Sequence, residues 1–499
     1  MLIRLHPSDN VAVVSRALQA GDKTDFGLVA GNAIAQGHKI ALSPIAKGEA
    51  IIKFNAQIGI ASADIPAGAH VHVHNCAMSE HGSAIAANGE WSPPVLAQRS
   101  FMGYHRANGR IGTRNYIGIL TSVNCSATVA NYIADGIERA GWLKDYPNID
   151  GIVPITHATG CGMADRGEGY DLLQRTLWGY AANPNFGAIL MVGLGCEVLQ
   201  IARFKKEAGL VDSERFQTFT IQEQGGTRRS IELGMAKVRE LMEAASQDQR
   251  APAPLSALTL ALQCGGSDGY SGFTANPALG YAADLLIAQG GRVFLSETPE
   301  IYGAEHLLLA RARNDEVAAK LNARLDWWRD YCARFGAEMN NNPSPGNKAG
   351  GLTTILEKSL GAVAKGGTSP LNDVILYAEQ PATQGLIFMD SPGFDPCSAT
   401  GQIASGANVM CFTTGRGSVF GAKPTPCLKL ATNSDLYARM TEDMDIDCGT
   451  IATGQSSIAQ KGQEIFDLVL ETASGRLSKS ESLGFGRAEF VPWVIGATM

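Results

Sequence analysis

No apolar run in this 499-residue chain reaches the length of about 18 residues that a membrane-crossing helix needs, so no membrane association is expected. No run of Lys and Arg occurs and the net charge is −7, which argues against nucleic acid as a partner. No apolar stretch follows Arg4 in the opening MLIRLHPSDN, so no secretory leader is expected. The ten cysteines include no CxxC pair and no dense framework, which fits reduced thiols in a cytoplasmic protein. No GxxxxGK[ST] phosphate loop and no repeat with a period of roughly 20–50 residues are present.

What remains is a globular composition, 45% hydrophobic and 18% charged, in a chain too long for one core. Short extended runs at Ile51–Phe54, Ile58–Ile60 and His70–His74, with turn signals at Pro44–Gly48 and Pro66–Gly68, predict a β module over residues 1–88. A polar stretch from Ala77 to Arg99 contains Gly89, Pro93 and Pro94 and reads as a linker, set at 89–103. Strand runs Tyr116–Leu120, Gly151–Pro154 and Ala188–Val192 alternate with helical patterns at Ser126–Ala140 and Tyr170–Ala182. That alternation predicts an α/β domain with a largely parallel sheet over 104–250. The pattern repeats over 251–499, with strands at Leu258–Leu262, Arg292–Leu295, Gly385–Met389, Val409–Thr413 and Leu428–Thr432.

The polar, glycine-rich segments fall where these strands end, the place where open α/β sheets bind ligands. LQCGGSDGYSGFTANP (262–277) packs Cys264, Ser267, Asp268, Thr274 and Asn276 among four glycines. Other such turns hold Cys125, His157, Cys161, Cys196, Glu197, Glu297 and Glu300. His157 is a candidate general base, with a structural hydrogen bond as the plainer reading. Lys348 and Asn347, in NPSPGNKAGG, could hold a carboxylate or move a proton; a solvated lysine is the alternative. Arg416 in TGRG suits bidentate carboxylate recognition. Arg114, Asn115 and Asn433 complete the candidate substrate ligands, although Asn433 could simply cap a helix.

His70, His72 and His74 alternate with apolar residues, which would place all three on one strand face, about 7 Å apart in steps of two. His72 and His74, with Glu197 and Cys161, form the candidate metal set; a solvated strand face is the alternative. Cys125, Cys161, Cys196 and Cys264 could hold zinc or an iron–sulfur cluster, but their spacing follows no ferredoxin pattern and small buried thiols are preferred.

GTRN, THATGCGM, GLGCE, CGGSDGYSGFTANP, NPSPGNKAGG, TGRG and ATNS together resemble the altronate/galactarate dehydratase family of sugar-acid hydro-lyases. KGEAIIKFNAQIG and IPAGAHVHVHN resemble its N-terminal SAF module, a β-clip related to antifreeze proteins. The resemblance implies dehydration of a hexonate or hexarate to a 2-keto-3-deoxy acid; a homo-oligomer is expected. It also implies a divalent metal, Fe²⁺ or Mn²⁺, without a required iron–sulfur cluster. The turn GCGMADRGEG is closer to the galactarate type than the altronate type, so either acid stays open.

Such chemistry needs a base at the α-carbon, here His157 or Lys348, and an acid for the departing β-hydroxyl, here Glu297 or Glu300. Cations or a metal must absorb the charge that builds on the carboxylate. A lyase expelling another β-group such as sulfite, and a non-catalytic sugar-acid sensor, are the rival readings.

Overall fold

The computed structural model describes residues 2–79 and 91–499. Residues 2–79 form two antiparallel sheets. One orders the strands Leu2–Ile3, Val11–Val14, Lys39–Ala41 and His70–Val71, and the other Ala50–Lys53, Ala56–Ala61 and Cys76–Ala77. Their apolar side chains meet in two small cores, around Ile51, Ile58 and Val71 and around Val14, Leu18 and Ile40.

The predicted strand His70–His74 stops at Val71. Asn75 is the physical reason. Its side chain accepts from the His72 amide at 2.9 Å and donates to the His70 carbonyl at 2.9 Å, closing a turn that replaces sheet pairing. Residues 80–90 of the expected linker, Gly89 included, lie outside the described residues. Its far end is strand, because Ser100–His105 pairs with Arg250–Pro254 and Ile111–Gly112 in a small antiparallel sheet.

A four-stranded parallel sheet follows, in the order Gly151–Ile155, Tyr116–Thr121, Phe186–Gly193, Phe216–Thr220. Both faces are covered, which explains why these strands read as continuous apolar runs. Ile117 and Ile119 pack on Val129, Ile133 and Ile137 of the helix Ala127–Ala140 and on Val238 and Leu241 of Thr227–Ala245. Tyr116 and Leu120 face the other way, onto Tyr170, Leu173 and Leu177 of the helix Glu168–Ala181.

The C-terminal part carries a seven-stranded parallel sheet in the order Leu371–Ile375, Gly385–Met389, Arg292–Ser296, Thr259–Cys264, Val409–Thr414, Cys427–Ala431, Ile446–Asp447. Thr259–Cys264 lies at the centre. The chain leaves it toward Arg292–Ser296 on one side and later returns to Val409–Thr414 on the other, so strand order reverses here. The carboxyl ends of these three strands therefore flank a crevice. The protein is thus α/β, with a small β-rich N-terminal region and parallel sheets in the larger parts. No helix among the described residues is long and apolar enough to cross a membrane.

Candidate functional site

The segment after Thr259–Cys264 is shaped by Asp268. Its Oδ1 accepts from the amides of Tyr270 and Ser271 and from the Ser271 and Thr432 hydroxyls, and its Oδ2 from Asn433, at 2.9–3.1 Å. Burial raises its pKa while these hydrogen bonds oppose the rise. Asp268 thus staples the loop. Gly415 must be glycine for this contact, because a Cβ there would stand 2.1 Å from Asp268 Cγ. Asn276 bridges Gly361 and Thr413, Asn347 ties Ser344 to the Ser267 carbonyl, and Asn433 caps the helix Ser434–Arg439. Among the candidate substrate ligands here, the side chains of Ser267, buried, and Arg416, exposed, are not tied into this scaffold among the described residues.

A cluster of charge sits at the crevice. Cys264, Glu297 and Glu300 place one ligand-type atom each within 4.8 Å of the others, and all three are buried. Lys365 Nζ lies 2.8 Å from Cys264 Sγ and 3.8 Å from Glu297 Oε2. Lys358 Nζ lies 2.6 Å from Glu300 Oε1, which also accepts from Asn342 at 2.9 Å. The two carboxyls are pushed apart. Burial, reinforced by Glu300, holds Glu297 well above the carboxylate range; burial acts on Glu300 too, but Lys358 and Lys365 override it and lower its pKa. Burial also pushes Asp395 up to about 7 and the Cys264 thiol to about 12. Glu297 sits at φ 75°, a sparsely populated conformation for a residue with a Cβ, and both its carboxyl oxygens are buried without a hydrogen-bond partner.

A second cluster lies on the N-terminal region. His38, His70 and His72 bring ring nitrogens within 4.8 Å of one another. His38 Nδ1 is 3.0 Å from His70 Nε2, and His38 Nε2 is 3.2 Å from the Ala349 carbonyl. Burial lowers all three pKa values, to about 4 for His70 and about 3 for His72, so these imidazoles are neutral near pH 7. Arg416 is near enough to oppose His38 protonation. His72 Nδ1 is buried with no partner.

Of these two groups, the imidazoles fit a divalent first-row ion: three neutral nitrogen donors, one unsatisfied. Cys264, Glu297 and Glu300 fit less well, because Lys358 and Lys365 already place positive charge against them.

The clusters share borders. Asn342 touches Glu300 and Lys358, whereas Ala349, at the end of the short helix Pro345–Ala349, touches His38. Half-buried Lys348 lies on that same helix. In the helix Ile355–Val363, Glu357 pairs with Lys39 and Lys53 at 2.8 Å each, while the adjacent Lys358 pairs with Glu300. Between them, Lys53, Ser267, Asp268, Glu357 and Lys358 line a void of ≈ 10 Å³.

Several expected ligands are otherwise engaged. Arg114 is fully buried and spends its guanidinium on Glu481 and on the carbonyls of Thr113, Thr472 and Arg476, leaving nothing for a substrate. Asn115 joins Arg106, Asn148 and Ala245. His157 donates from Nε2 to the Thr121 carbonyl at 2.9 Å and accepts at Nδ1 from Thr159, so it has no lone pair free to take a proton. Glu197 accepts from Ser122 and the Gly195 amide, far in sequence from the imidazoles and not grouped with them. Cys161 lines a separate cleft with Trp493–Thr498, and His74 is exposed beside His70.

His38, Lys358, Lys365 and Asp395 escape the sequence reading. Lys358 and Lys365 are seven apart in the largely apolar stretch ILEKSLGAVAK, the helix Ile355–Val363 and the turn after it, which was a readable signal for two buried cations on one face. His38 carries no such pattern.

Comparison with known proteins agrees with this layout. Three family models match: the "Altronate/galactarate dehydratase SAF domain" at residues 1–79, "D-galactarate dehydratase/Altronate hydrolase, second domain" at 103–246, and "D-galactarate/Altronate dehydratase, C-terminal" at 255–498. The chain is 37% identical to the altronate dehydratase of Escherichia coli over 492 residues, 97% of each chain. It is 38% identical to the galactarate dehydratase (L-threo-forming) of the same organism over 486 residues, 95% of this chain and 93% of the relative. It is also 34% identical to the (2R)-sulfolactate sulfo-lyase subunit beta of Chromohalobacter salexigens over 407 residues, 79% of this chain and 97% of the relative. With every part of the layout matched and full-length relatives above 30% identity, the chain belongs to the altronate/galactarate dehydratase family of hydro-lyases.

Proposed function

We propose that this enzyme dehydrates a hexonate or hexarate of the altronate or galactarate kind to a 2-keto-3-deoxy acid, in the region bordered by residues 342–351. The observation that carries the reading is the meeting of three neutral imidazoles with Arg416 at one end of that loop and a split carboxyl pair at the other. His38, His70 and His72 would hold the divalent ion, iron or manganese. When bound, it supplies a Lewis acid for charge developing on the substrate carboxylate.

The chain's own residues supply the rest. Arg416 offers a planar fork to the carboxylate. Lys348, in its neutral amine form, would be the base for the α-proton. Glu300, kept ionised by Lys358, sits beside Glu297, kept protonated, and opposite protonation states on two neighbouring carboxyls are what an acid for the departing β-hydroxyl requires. Loss of that hydroxyl as water leaves an enol, which becomes the 2-oxo acid. The separate middle, C-terminal and SAF-like domains are taken to act as one unit.

The sulfo-lyase relative keeps a second reading in view, in which sulfite leaves instead of water by the same logic. The test is 2-oxo acid formation from a panel of hexonates and hexarates plus sulfolactate, with chelator and after adding Fe²⁺ or Mn²⁺. Turnover of one sugar acid, lost with chelator and restored by one metal, is expected. Sulfite release from sulfolactate with no sugar acid consumed would overturn it.

A further inference from the structure

The remaining chemistry lies at the edge of the middle sheet. Among the ten free cysteines, three are exposed, Cys125, Cys161 and Cys196; Cys332 is half-buried and the others are buried. The three exposed thiols follow three adjacent parallel strands, Tyr116–Thr121, Gly151–Ile155 and Phe186–Gly193, and so emerge at one carboxyl edge, at the point where strand order reverses.

Their loops are stitched together. The Asn124 amide donates to the Thr159 carbonyl at 2.9 Å, and the Asn124 side chain to the His157 carbonyl at 3.1 Å. The amides of Val198 and Leu199 both donate to the Gly160 carbonyl. Ser122 donates to Glu197 at 2.5 Å, and the Gly195 amide holds the other oxygen of that carboxylate. Gly160 allows the closest approach, since a Cβ there would stand 2.2 Å from the Ser122 carbonyl oxygen. Each cysteine is thus within one to three residues of a bond joining its loop to a neighbour.

We propose that Cys125, Cys161 and Cys196 bind an iron–sulfur cluster of the four-iron type through three thiolates. Zinc is the other ion three thiolates would hold. Tetrahedral zinc draws its sulfurs to about 3.8 Å apart, from bonds of about 2.3 Å. The three cysteines do not form a group within 4.8 Å, among the described residues. A cubane spaces its thiolates more widely, because each reaches a different iron. Gln222 Nε2, 3.4 Å from Cys196 Sγ, already provides the kind of N–H donor that tunes cluster sulfurs. Assembly balances without electron transfer: two Fe²⁺, two Fe³⁺ and four sulfides form the core, and the three thiols release three protons. The fourth iron gains no thiolate from these loops, leaving it to water or to an oxygen of a hydroxy acid.

The test uses the full-length protein, incubated without oxygen with equal ferrous and ferric iron and with sulfide, then desalted. About four irons and four acid-labile sulfides per chain, with charge-transfer absorbance in the visible, are expected. The Cys125→Ser, Cys161→Ser and Cys196→Ser triple variant should retain neither, and Cys332→Ser should retain both. Circular dichroism confirms that each variant is folded; sulfur-to-oxygen changes at exposed positions leave the core intact. Iron retained without sulfide, a single zinc per chain, or equal retention by the triple variant would each overturn the proposal. None of these readouts depends on dehydratase turnover.

Discussion

His157 shows how a residue type can suggest one role and its surroundings another. Both of its nitrogens are engaged with backbone atoms, and burial lowers its pKa to about 4. It therefore positions the loop after Gly151–Ile155. His157→Ala should strand the Thr121 carbonyl and cost about 1–3 kcal/mol of stability. Turnover of the folded variant should stay within about tenfold of the parent, whereas removal of a true base costs roughly 10²–10⁴. A melting curve and kcat on the folded fraction separate these, and a loss beyond a hundredfold would restore the catalytic role. The same distinction applies to Arg114: the spacing GTRN marks an arginine of consequence, but only the fold reveals that Glu481, 367 positions away, is its partner.

At the level of elements, the helix Ile355–Val363 joins the N-terminal region to the crevice. Glu357 is fully buried between Lys39 and Lys53 and also accepts from Thr353. Burial alone would raise its pKa, but the two lysines hold it well below the carboxylate range. Glu357→Gln leaves two buried ammonium groups short of their counter-charge and should destabilise the protein by about 3–5 kcal/mol, read by denaturant unfolding. Near-parent stability would mean that these lysines reach water. The strands and helices themselves were largely legible. Gly385–Met389 is observed as expected, and Ala127–Ala140 begins one residue later, because continuous apolar runs and 3.6-residue spacing record burial directly. His70–His74 was misread because alternation cannot register a side chain such as Asn75 that closes a turn through the backbone.

Across the whole molecule, the two charged clusters should respond to pH in opposite directions. His70 and His72 have folded pKa values of about 4 and about 3 against an ordinary 6.5, so the unfolded chain binds protons first as pH falls. Their contribution to stability is complete above pH 6.5 and is lost progressively as pH drops through about 4 and then 3. Asp395 works the other way between 3.8 and about 7, since its folded pKa is raised. The imidazole share is therefore the difference between parent and the His70→Asn/His72→Asn double variant, measured as melting temperature against pH. That difference should shrink as pH falls from 6.5; a constant difference would mean the rings are solvated. What the sequence concealed at this scale is partnership between distant segments: His38 meets His70, Cys264 meets Glu300 and Lys365, and neither meeting leaves a local pattern.

The void between Lys53 and Lys358 has room for about one water, not for a six-carbon acid. It is a place for a solvent molecule held between two ammonium groups and the Glu357 carboxylate, and so a local source or sink for protons beside the pair Lys358–Glu300.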